Sequence, residues 1–384
     1  MRIRHVSLLL LVGLLVACQT PTKCEDYVPG VRTKKGEVVQ TLNTTVFLRT
    51  YEAEYFKTFF PEFKNIVQQI HRETDRYNDY NEMAFTYELN QNYGSENLLT
   101  INEEMFDILG TSLKMCELSE GYFNPAIGGL VDLWSPLFNQ KTNIDPSSAV
   151  LTATLAQIPS YQELNENLER IVPTIHDDKP NQYGVIFGKI PGKENVLLDF
   201  GGIAKGYALE KVFEAAENED KPFMTYAGGS SIIMKGEKPY ANGNWIIEIE
   251  DPKNPNDYLA KLYLKGTHAI STSGDYQKYF FNENNTRRHH ILNPLTGYPE
   301  NYYRSITLYS NKRADVLDAL STALFNCPDD EELLRITAKV EEYFSMDIEI
   351  IYSKEEDGVL YLGATKKASE QMQECALEVR IIDD

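Results

Sequence analysis

Cysteine is scarce in this chain, which has five among its 384 residues. They are too few and too scattered for a disulfide framework or for a zinc site of the CxxC type. Cys116 and Cys327 stand in apolar segments and are predicted to be small core residues. A bridge between Cys24 and Cys375 is chemically allowed in an oxidising compartment, but their spacing does not favour it.

Positive charge is also in short supply. Lys and Arg total 37 against 57 Asp and Glu, which leaves a formal net charge of −20 at pH 7. Nucleic-acid binding depends on Lys and Arg side chains that neutralise phosphates, so this balance argues against DNA or RNA as a partner. Most of the carboxylates are interpreted as a solvated surface that keeps the protein soluble.

A membrane-spanning helix needs roughly 20 consecutive apolar residues, and the apolar run Val6–Ala17 is too short for one. Arg2 and Arg4 precede the run, which is the pattern of a secretory signal peptide. The residues LVAC, ending at Cys18, resemble the lipobox of bacterial lipoproteins, in which that cysteine becomes the lipidated first residue. The resemblance implies a lipid anchor at a membrane surface, on the periplasmic or another extracytoplasmic side. A buried N-terminal helix, the alternative, does not explain the basic start.

Internal repeats and low-complexity linkers are absent after residue 36, so one compact domain is expected. Apolar periodicity predicts strands and helices without strict alternation, which indicates an α+β fold. The predicted organisation is a signal peptide over 1–17, a lipidated tether over 18–36 and a single domain over 37–384. Helices are predicted at Tyr55–Thr74, Ile101–Leu118 with Asn102 as its cap, Ile203–Ala216, Ala314–Asn326 and Glu331–Val340. Strands are predicted at Thr44–Tyr51, Gly184–Phe187, Val196–Phe200, Ser231–Lys235, Trp245–Ile249, Ala260–Leu264, Ser305–Ser310, and in IEIIYS and VLYLG near the C-terminus.

The dinucleotide-binding fingerprint GxGxxG does not fit the main glycine-rich stretch of the chain. LLDFGGIAKGYALEKV, Leu197 to Val212, has instead the pattern DxGGxxxG between a predicted strand and a predicted helix. Unpaired N–H groups and the dipole at a helix N-terminus favour an anion, and Lys205 adds a positive charge there. A tight turn whose glycines allow close packing explains the same stretch equally well.

One helical stripe of NKRADVLDALSTALF, residues 311–325, carries carboxylate and hydroxyl groups. Asp315, Asp318 and Thr322 lie at positions i, i+3 and i+7, so their oxygens share one face. An oxygen-only set suits Mg²⁺ or Ca²⁺ better than zinc. The alternative is that Asp315 caps the helix and that Asp318 is merely solvated.

Two adjacent histidines stand in RRHHILNPLTGYP, residues 287–299, ahead of a turn that starts at Asn293. Strand alternation would send one of His289 and His290 inward and the other outward. A histidine near neutral pH can donate to a phosphate or move a proton, although a structural role is the more frequent one.

Taken in order, seven stretches resemble the FAD:protein FMN transferases, the ApbE-type flavin transferases, many of which are lipoproteins. The resemblance runs from about Leu42 to Phe325 and implies an ApbE-like α+β fold. The matching strings are RYNDYNEM with ELN, GYFNPAIGGLVDLW, LLDFGGIAKGYA, TYAGGS, STSGDY, HHILNPLTGYP and ADVLDALSTALF. No single string is decisive, but seven in this order behind a lipobox make chance agreement improbable.

The resemblance also implies a site, residue by residue. A Mg²⁺ ion on the pyrophosphate of FAD would be held by the Gly202 carbonyl, Asp318 and Thr322, with Ser321 close enough to share. His290 and Asp318 would serve in catalysis, and the resemblance leaves open whether His290 bonds the pyrophosphate or acts as a base. Asn124 stands where the family often has Asp, so no charged role is expected there. Contacts with FAD are implied for Leu42, Tyr77, Tyr122, Phe123, Asn124, Asp199, Lys205 and Ile291.

The activity implied is Mg²⁺-dependent transfer of FMN from FAD to a threonine or serine hydroxyl of an acceptor protein, with release of AMP. Acceptors in that family include membrane-bound electron-transport subunits, which would suit an anchored enzyme. Two alternatives use the same site: a Mg²⁺-dependent FAD pyrophosphatase that yields FMN and AMP, and a lipoprotein that binds flavin without turnover. A structural surface lipoprotein, the remaining alternative, would bind no flavin.

Overall fold

The computed structural model describes residues 27–28, 31–32, 37–81, 83–140, 142–172 and 183–383. The predicted signal peptide, and Cys18 and Cys24 of the predicted tether, lie outside the described residues. The helices are α1 Ala53–Thr74, α2 Thr86–Gln91, α3 Glu103–Leu118, α4 Gly128–Gln140, α5 Ser148–Leu155, α6 Tyr161–Asn167, α7 Ala204–Ala215, α8 Ala314–Phe325, α9 Asp330–Phe344 and α10 Lys366–Gln371. The strands are β1 Tyr27–Val28, β2 Val31–Arg32, β3 Glu37–Thr41, β4 Thr44–Thr50, β5 Leu99–Ile101, β6 Leu168–Ile171, β7 Tyr183–Phe187, β8 Phe223–Ala227, β9 Ser231–Lys235, β10 Asn244–Asp251, β11 Asn254–Lys265, β12 His268–Gly274, β13 Tyr279–Phe281, β14 Arg287–His289, β15 Ser305–Ser310, β16 Glu349–Glu356, β17 Val359–Ala364, β18 Met372–Gln373 and β19 Val379–Ile381.

A nine-stranded sheet forms the centre of the described chain, in the order β19-β17-β16-β15-β12-β9-β8-β4-β3. Its neighbouring strands are antiparallel except for β17 and β19, which run parallel. Strands β10, β11 and β18 make a smaller sheet. The mixture of helices and largely antiparallel strands confirms the α+β class. No helix in the described part of the chain combines the length and the apolar character that a membrane crossing demands.

Both faces of the large sheet are covered at its centre. All six residues of β15 are buried, and successive residues point to opposite faces. Ile306 and Leu308 join the main core together with residues of α7 and α8. Tyr309 joins a second apolar cluster that includes Trp245 of β10 and Leu262 of β11. The middle strands are therefore held between a helical layer and the smaller sheet.

Helices α7 and α8 approach each other closely at a glycine. A Cβ placed on Gly206 would lie 2.2 Å from the carbonyl oxygen of Ala314, so a larger residue cannot occupy this position without displacing a helix. The approach brings the first turn of α7 beside Asp318 in the middle of α8. Close packing, given above as one explanation of the glycine-rich stretch, is thus confirmed at this glycine.

The predicted strand Val196–Phe200 is wrong, because its backbone has other partners. The Leu198 N–H donates to the Asn90 side chain at 2.7 Å, and the Asp199 N–H donates to the Pro125 carbonyl at 2.7 Å. A single bridge between Leu197 and Ile127 is its one pairing of the strand type within the described residues. A helix residue and a loop therefore take the hydrogen bonds that a neighbouring strand would provide.

Other local signals agree with the structure. Helix α3 begins at Glu103, and Asn102 Oδ1 accepts the Met105 N–H at 2.9 Å, which confirms the predicted cap. Cys116 and Cys327 are buried free thiols, as predicted. The central strand β12 was not predicted, because its sequence HAISTSG is rich in residues that are more frequent in turns.

Candidate active site

A cleft opens where α8, the start of α7 and the end of β12 meet. Its larger lobe, about 400 Å³, is lined by Asp318 and Thr322 and also by apolar residues such as Val131 and Leu292. A smaller lobe of about 310 Å³ is bordered by Leu42 and the end of α1. The lobes share Tyr77, Asp199, Lys205 and His290 among their lining residues, so they form one continuous cleft.

Asp318 is held at the edge of this cleft by three groups. Its Oδ2 accepts the Gly206 N–H at 2.8 Å and lies 3.5 Å from the Lys205 Nζ. Its Oδ1 accepts the Ser271 hydroxyl at 3.2 Å. The residue is 3% exposed, so the interpretation of Asp318 as merely solvated is wrong.

Asp315 does not cap α8 either. The helix begins after Arg313, whose backbone is left-handed with φ of 61° and whose side chain makes no cap hydrogen bond. The first backbone N–H of the helix, that of Ala314, donates instead to Glu210 Oε2 at 2.7 Å. Arg313 Nη2 lies 2.7 Å from Asp315 Oδ2, which makes this aspartate the partner of an ion pair. Asp315 does not border the cleft.

Thr322 and Gly202 complete one wall of the larger lobe. Thr322 Oγ1 donates to the Asp318 carbonyl at 3.1 Å. A Cβ placed on Gly202 would lie 3.3 Å from Thr322 Oγ1, so Gly202 and Thr322 face each other across a narrow gap. Ser321 is turned away: its hydroxyl lies 3.2 Å from that of Ser271 and 3.0 Å from that of Ser273, and it is fully buried.

The donors Asp318, Thr322 and Gly202 fit a hard cation such as Mg²⁺. All three border the cleft, and each offers oxygen. No cluster of three or more His, Cys, Asp or Glu side chains suited to a metal occurs among the described residues. A single carboxylate with neutral oxygens is a partial shell, which is how proteins often bind Mg²⁺ that also contacts substrate phosphates.

The two histidines point to opposite sides, as strand alternation predicts. His289 is fully buried with Nε2 2.7 Å from the Glu300 carbonyl, and burial lowers its pKa to about 3. His290 borders both lobes and is reached by solvent through the cleft. The surrounding protein, together with Lys278 and Lys205, lowers the pKa of His290 to about 4. The lowered pKa favours the neutral ring, which can accept a hydrogen bond, and makes it a weaker base than an ordinary histidine.

Leu42 and Ile291 line opposite lobes. Leu42 lies in the two-residue turn between β3 and β4, where Leu42 and Asn43 have φ of 51° and 55°. Positive φ at both positions is typical of the tight hairpin turns that match strand twist. Ile291 follows His290 and borders the larger lobe. The structure thus brings seven predicted residues to the cleft in addition to Gly202 and Thr322: Leu42, Tyr77, Asp199, Lys205, His290, Ile291 and Asp318.

Three predicted FAD contacts do not border the cleft. Phe123 is 4% exposed and packs behind Gly202, where a Cβ would lie 3.2 Å from its ring. Asn124 donates to the Pro159 carbonyl at 2.8 Å and borders a separate groove. The Tyr122 carbonyl accepts the Asn326 side chain at 3.4 Å. In this structure these residues support the wall, and their contact with FAD stays a prediction.

Arg76 is a site residue that the sequence reasoning missed, whereas the end of β12 is placed at the cleft by the structure. Arg76 Nε lies 2.8 Å from Asp199 Oδ2, and Arg76 Nη2 donates to the Tyr77 hydroxyl at 2.8 Å. Thr272 and Ser273 line the larger lobe beside Tyr276 and Lys278. Arg76 stands inside the quoted string RYNDYNEM, but no local pattern marks it. Thr272 and Ser273 stand inside STSGDY, whose glycine and hydroxyl content indicates either donors to an anion or an ordinary turn.

Comparison with protein families gives one match that spans most of the chain. The model described as the ApbE family matches residues 42–344. The FAD:protein FMN transferase of Treponema pallidum is 26% identical over 252 residues, which are 62% of this chain and 63% of that protein. The FAD:protein FMN transferase of Haemophilus influenzae is 24% identical over 323 residues, 83% of this chain and 85% of that protein. The match thus spans just under two thirds of the Treponema relative and more of the Haemophilus one.

Solved structures share the fold. The ApbE protein of Thermotoga maritima superposes with a TM-score of 0.67 at 25% identity, covering 92% of this chain and 100% of that chain. The flavin transferase ApbE of Vibrio cholerae gives 0.64 at 21% identity, covering 88% and 98%. The similarity to the Vibrio structure shows the fold.

Proposed function

The chain belongs to the ApbE family, and we propose that it transfers FMN from FAD to a threonine or serine hydroxyl of an acceptor protein, releasing AMP. The proposal is carried by the cleft, where the Asp318 carboxylate and the Thr322 hydroxyl lie beside Lys205 and His290. Such a combination of oxygen ligands and positive charge suits a pyrophosphate with its cation. The names of the relatives support the same activity.

The proposed reaction is a phosphoryl transfer. The acceptor oxygen forms a bond to the phosphorus on the FMN side of the pyrophosphate, and the bond from that phosphorus to the bridging oxygen breaks. AMP leaves with the bridging oxygen, and the hydroxyl proton passes to a base or to water. His290 borders both lobes, so its ring can accept a hydrogen bond from the acceptor hydroxyl and orient it.

Mg²⁺, if bound by Asp318, Thr322 and the Gly202 carbonyl, would neutralise the negative charge that builds up on the pyrophosphate oxygens. Lys205 supplies a fixed positive charge on the same side of the cleft, 3.5 Å from Asp318. The apolar wall that includes Val131 and Leu292 offers a surface for a flat ring. The cleft therefore offers polar groups that can bind the pyrophosphate and apolar groups that can orient the flavin ring.

The test is incubation of the protein with FAD, Mg²⁺ and an acceptor protein or fragment that contains a threonine. Covalent flavin on the acceptor is read by in-gel fluorescence, and AMP by chromatography. We expect covalent FMN and AMP in equal amounts, both dependent on Mg²⁺. Free FMN with AMP would identify a pyrophosphatase, and bound FAD without AMP would identify a flavin-binding protein. Either result, obtained with an acceptor that a related transferase modifies in parallel, contradicts the proposal.

We also propose that the chain is anchored through lipid on Cys18 at an extracytoplasmic membrane surface. The support is the LVAC string after a basic and apolar N-terminus. Metabolic labelling with a fatty acid should mark the wild-type protein in the membrane fraction. Cys18→Ala should lose the label, and a label that persists in this variant would overturn the assignment.

A further inference from the structure

One largely buried guanidinium lies at the junction of the two lobes, where Arg76 itself lines the smaller lobe. Arg76 follows α1 by two residues, and its side chain is 5% exposed. Its Nε lies 2.8 Å from Asp199 Oδ2, in the turn that precedes α7. Its Nη groups bind Asp132 of α4, and Nη2 also donates to the Gly128 carbonyl at 3.3 Å. One side chain thus connects the end of α1 to two other segments.

The same guanidinium holds Tyr77. Its central carbon lies 4.5 Å from the centroid of the Tyr77 ring, and Nη2 donates to the Tyr77 hydroxyl at 2.8 Å. The ring itself is 59% exposed and borders both lobes. Because the hydroxyl accepts from Arg76, its own proton remains available for donation into the cleft. Arg76 therefore fixes both the plane of the ring and the direction of its donor.

Asp199 is fixed through both carboxylate oxygens. Oδ2 faces Arg76, and Oδ1 accepts the Gly201 N–H at 2.9 Å. The second contact shapes the turn that leads to Gly202, whose carbonyl is a proposed metal ligand. Arg76 thus contacts two cleft residues, Tyr77 and Asp199, that belong to separate parts of the chain.

The backbone around Arg76 has its own support. The Asp75 carboxylate accepts the Tyr77 N–H at 2.8 Å, the Asn78 side chain at 2.7 Å and the Tyr80 hydroxyl at 2.8 Å. These bonds do not involve the Arg76 side chain. A conservative change at Arg76 should consequently leave the loop folded and alter mainly what the guanidinium holds.

We propose that Arg76 is a positioning residue for the flavin nucleotide: it sets the Tyr77 ring and the Asp199 carboxylate at a fixed separation across the junction of the lobes. The inference rests on the proposed function, since it takes FAD as the ligand. A guanidinium can serve a carboxylate, a hydroxyl and a ring face at once, because its donors are spread over a rigid plane. A lysine keeps the charge but presents a single ammonium, so it cannot hold both partners in this geometry.

The experiment compares Arg76→Lys with Arg288→Lys. Arg288 is a matched control: it pairs with Asp145 at 2.6 Å, stacks on the Tyr298 ring at 5.1 Å and does not border the cleft. FAD affinity is measured from the change in its fluorescence on binding, together with KM and kcat for transfer. Arg76→Lys should weaken FAD binding and raise KM for FAD by about tenfold, while kcat at saturating FAD stays within about threefold of the wild-type value. Arg288→Lys should change the affinity for FAD by less than about twofold.

A double-mutant cycle with Tyr77→Phe separates positioning from a general structural role. Arg76 acts through the Tyr77 hydroxyl in this proposal, so the two changes should be non-additive in FAD affinity. Additive effects, or an Arg76→Lys protein that binds FAD like the wild type, would overturn the inference. If the wild-type protein binds no FAD, the proposed function fails instead, and the thermal transition of each variant shows that it is folded.

Discussion

Two aspartates on one polar stripe of α8 are in opposite situations. Asp315 and Asp318 are one turn apart, and each is 3% exposed. Asp315 is paired with Arg313 and lies near the buried Glu210, away from the cleft. Asp318 is held by a backbone N–H, a serine hydroxyl and Lys205 at the edge of the cleft. Burial alone therefore does not distinguish a structural carboxylate from a candidate ligand, whereas the partners do.

The largest difference is expected in the rate of FMN transfer when the Asp318 charge and the Asp315 charge are removed in separate variants. Asp318→Asn should lower FMN transfer about a hundredfold or more, because an amide binds a divalent cation weakly and stabilises less transition-state charge. Asp315→Asn, on the same helix, should retain transfer within about threefold. The measurement is the rate of covalent flavin formation at saturating FAD and Mg²⁺. Equal losses in the two variants would show that the effect is structural and not specific to the cleft.

The next effect concerns the approach of the helices that brings Asp318 to its partners. Gly206→Ala places a methyl group 2.2 Å from the Ala314 carbonyl, and overpacking of this kind costs about 1–3 kcal/mol of unfolding free energy. Gly129→Ala is the control, because its Cβ would meet its nearest neighbour at 3.6 Å, an ordinary contact. Urea denaturation should show a loss for the first variant and no loss for the second.

Glu210, the buried neighbour of Asp315, should make the stability of the protein depend on pH. Burial and the Asp315 charge raise the pKa of Glu210 from 4.5 to about 7. The unfolded chain therefore releases this proton at lower pH than the folded chain does. The free energy by which protonated Glu210 favours the folded state is fully present below about pH 4.5 and is lost as the pH rises through 7. Glu210→Gln, relative to wild type, should be more stable at pH 8 than at pH 5 by about 2 kcal/mol.

The test is the melting temperature of both proteins at the two pH values. Glu73, whose pKa burial also raises to about 7, is common to both proteins, so its contribution cancels in the difference. A variant whose difference from wild type is the same at both pH values would contradict the raised pKa of Glu210.

The smallest effect on stability and transfer is expected from the hydrogen bond that Ser271 donates to Asp318. Ser271→Ala removes the hydroxyl that donates to Asp318 but leaves Gly206 and Lys205 in place. A loss of about 1 kcal/mol in stability and a few-fold slower transfer are expected. Ser310→Ala is the control, since its buried hydroxyl has no hydrogen-bond partner among the described residues. Equal results for the two serines would show that the Ser271 hydroxyl does not hold Asp318.

Much of the local structure followed from sequence patterns. Helical periodicity placed Asp315, Asp318 and Thr322 on one stripe, and strand alternation separated His289 from His290. These predictions depend on the geometry of a single element, which is the same in any fold. Patterns failed at Val196–Phe200, because an apolar run does not reveal whether its hydrogen-bond partner is a strand, a loop or a side chain.

The sequence by itself determined the fold class, the family resemblance and nine of the residues that border the cleft. Tertiary structure alone decided their partners. Gly206 and Asp318, which are hydrogen-bonded, are 112 positions apart, and Arg76, just after α1, lies 2.8 Å from Asp199, which precedes α7. It also decided that Ser321 faces Ser271 and Ser273, that Phe123 packs behind Gly202, and that Asn124 borders a separate groove. Propensity and periodicity act over a few residues, whereas these contacts depend on how distant elements pack, which no short stretch of sequence contains.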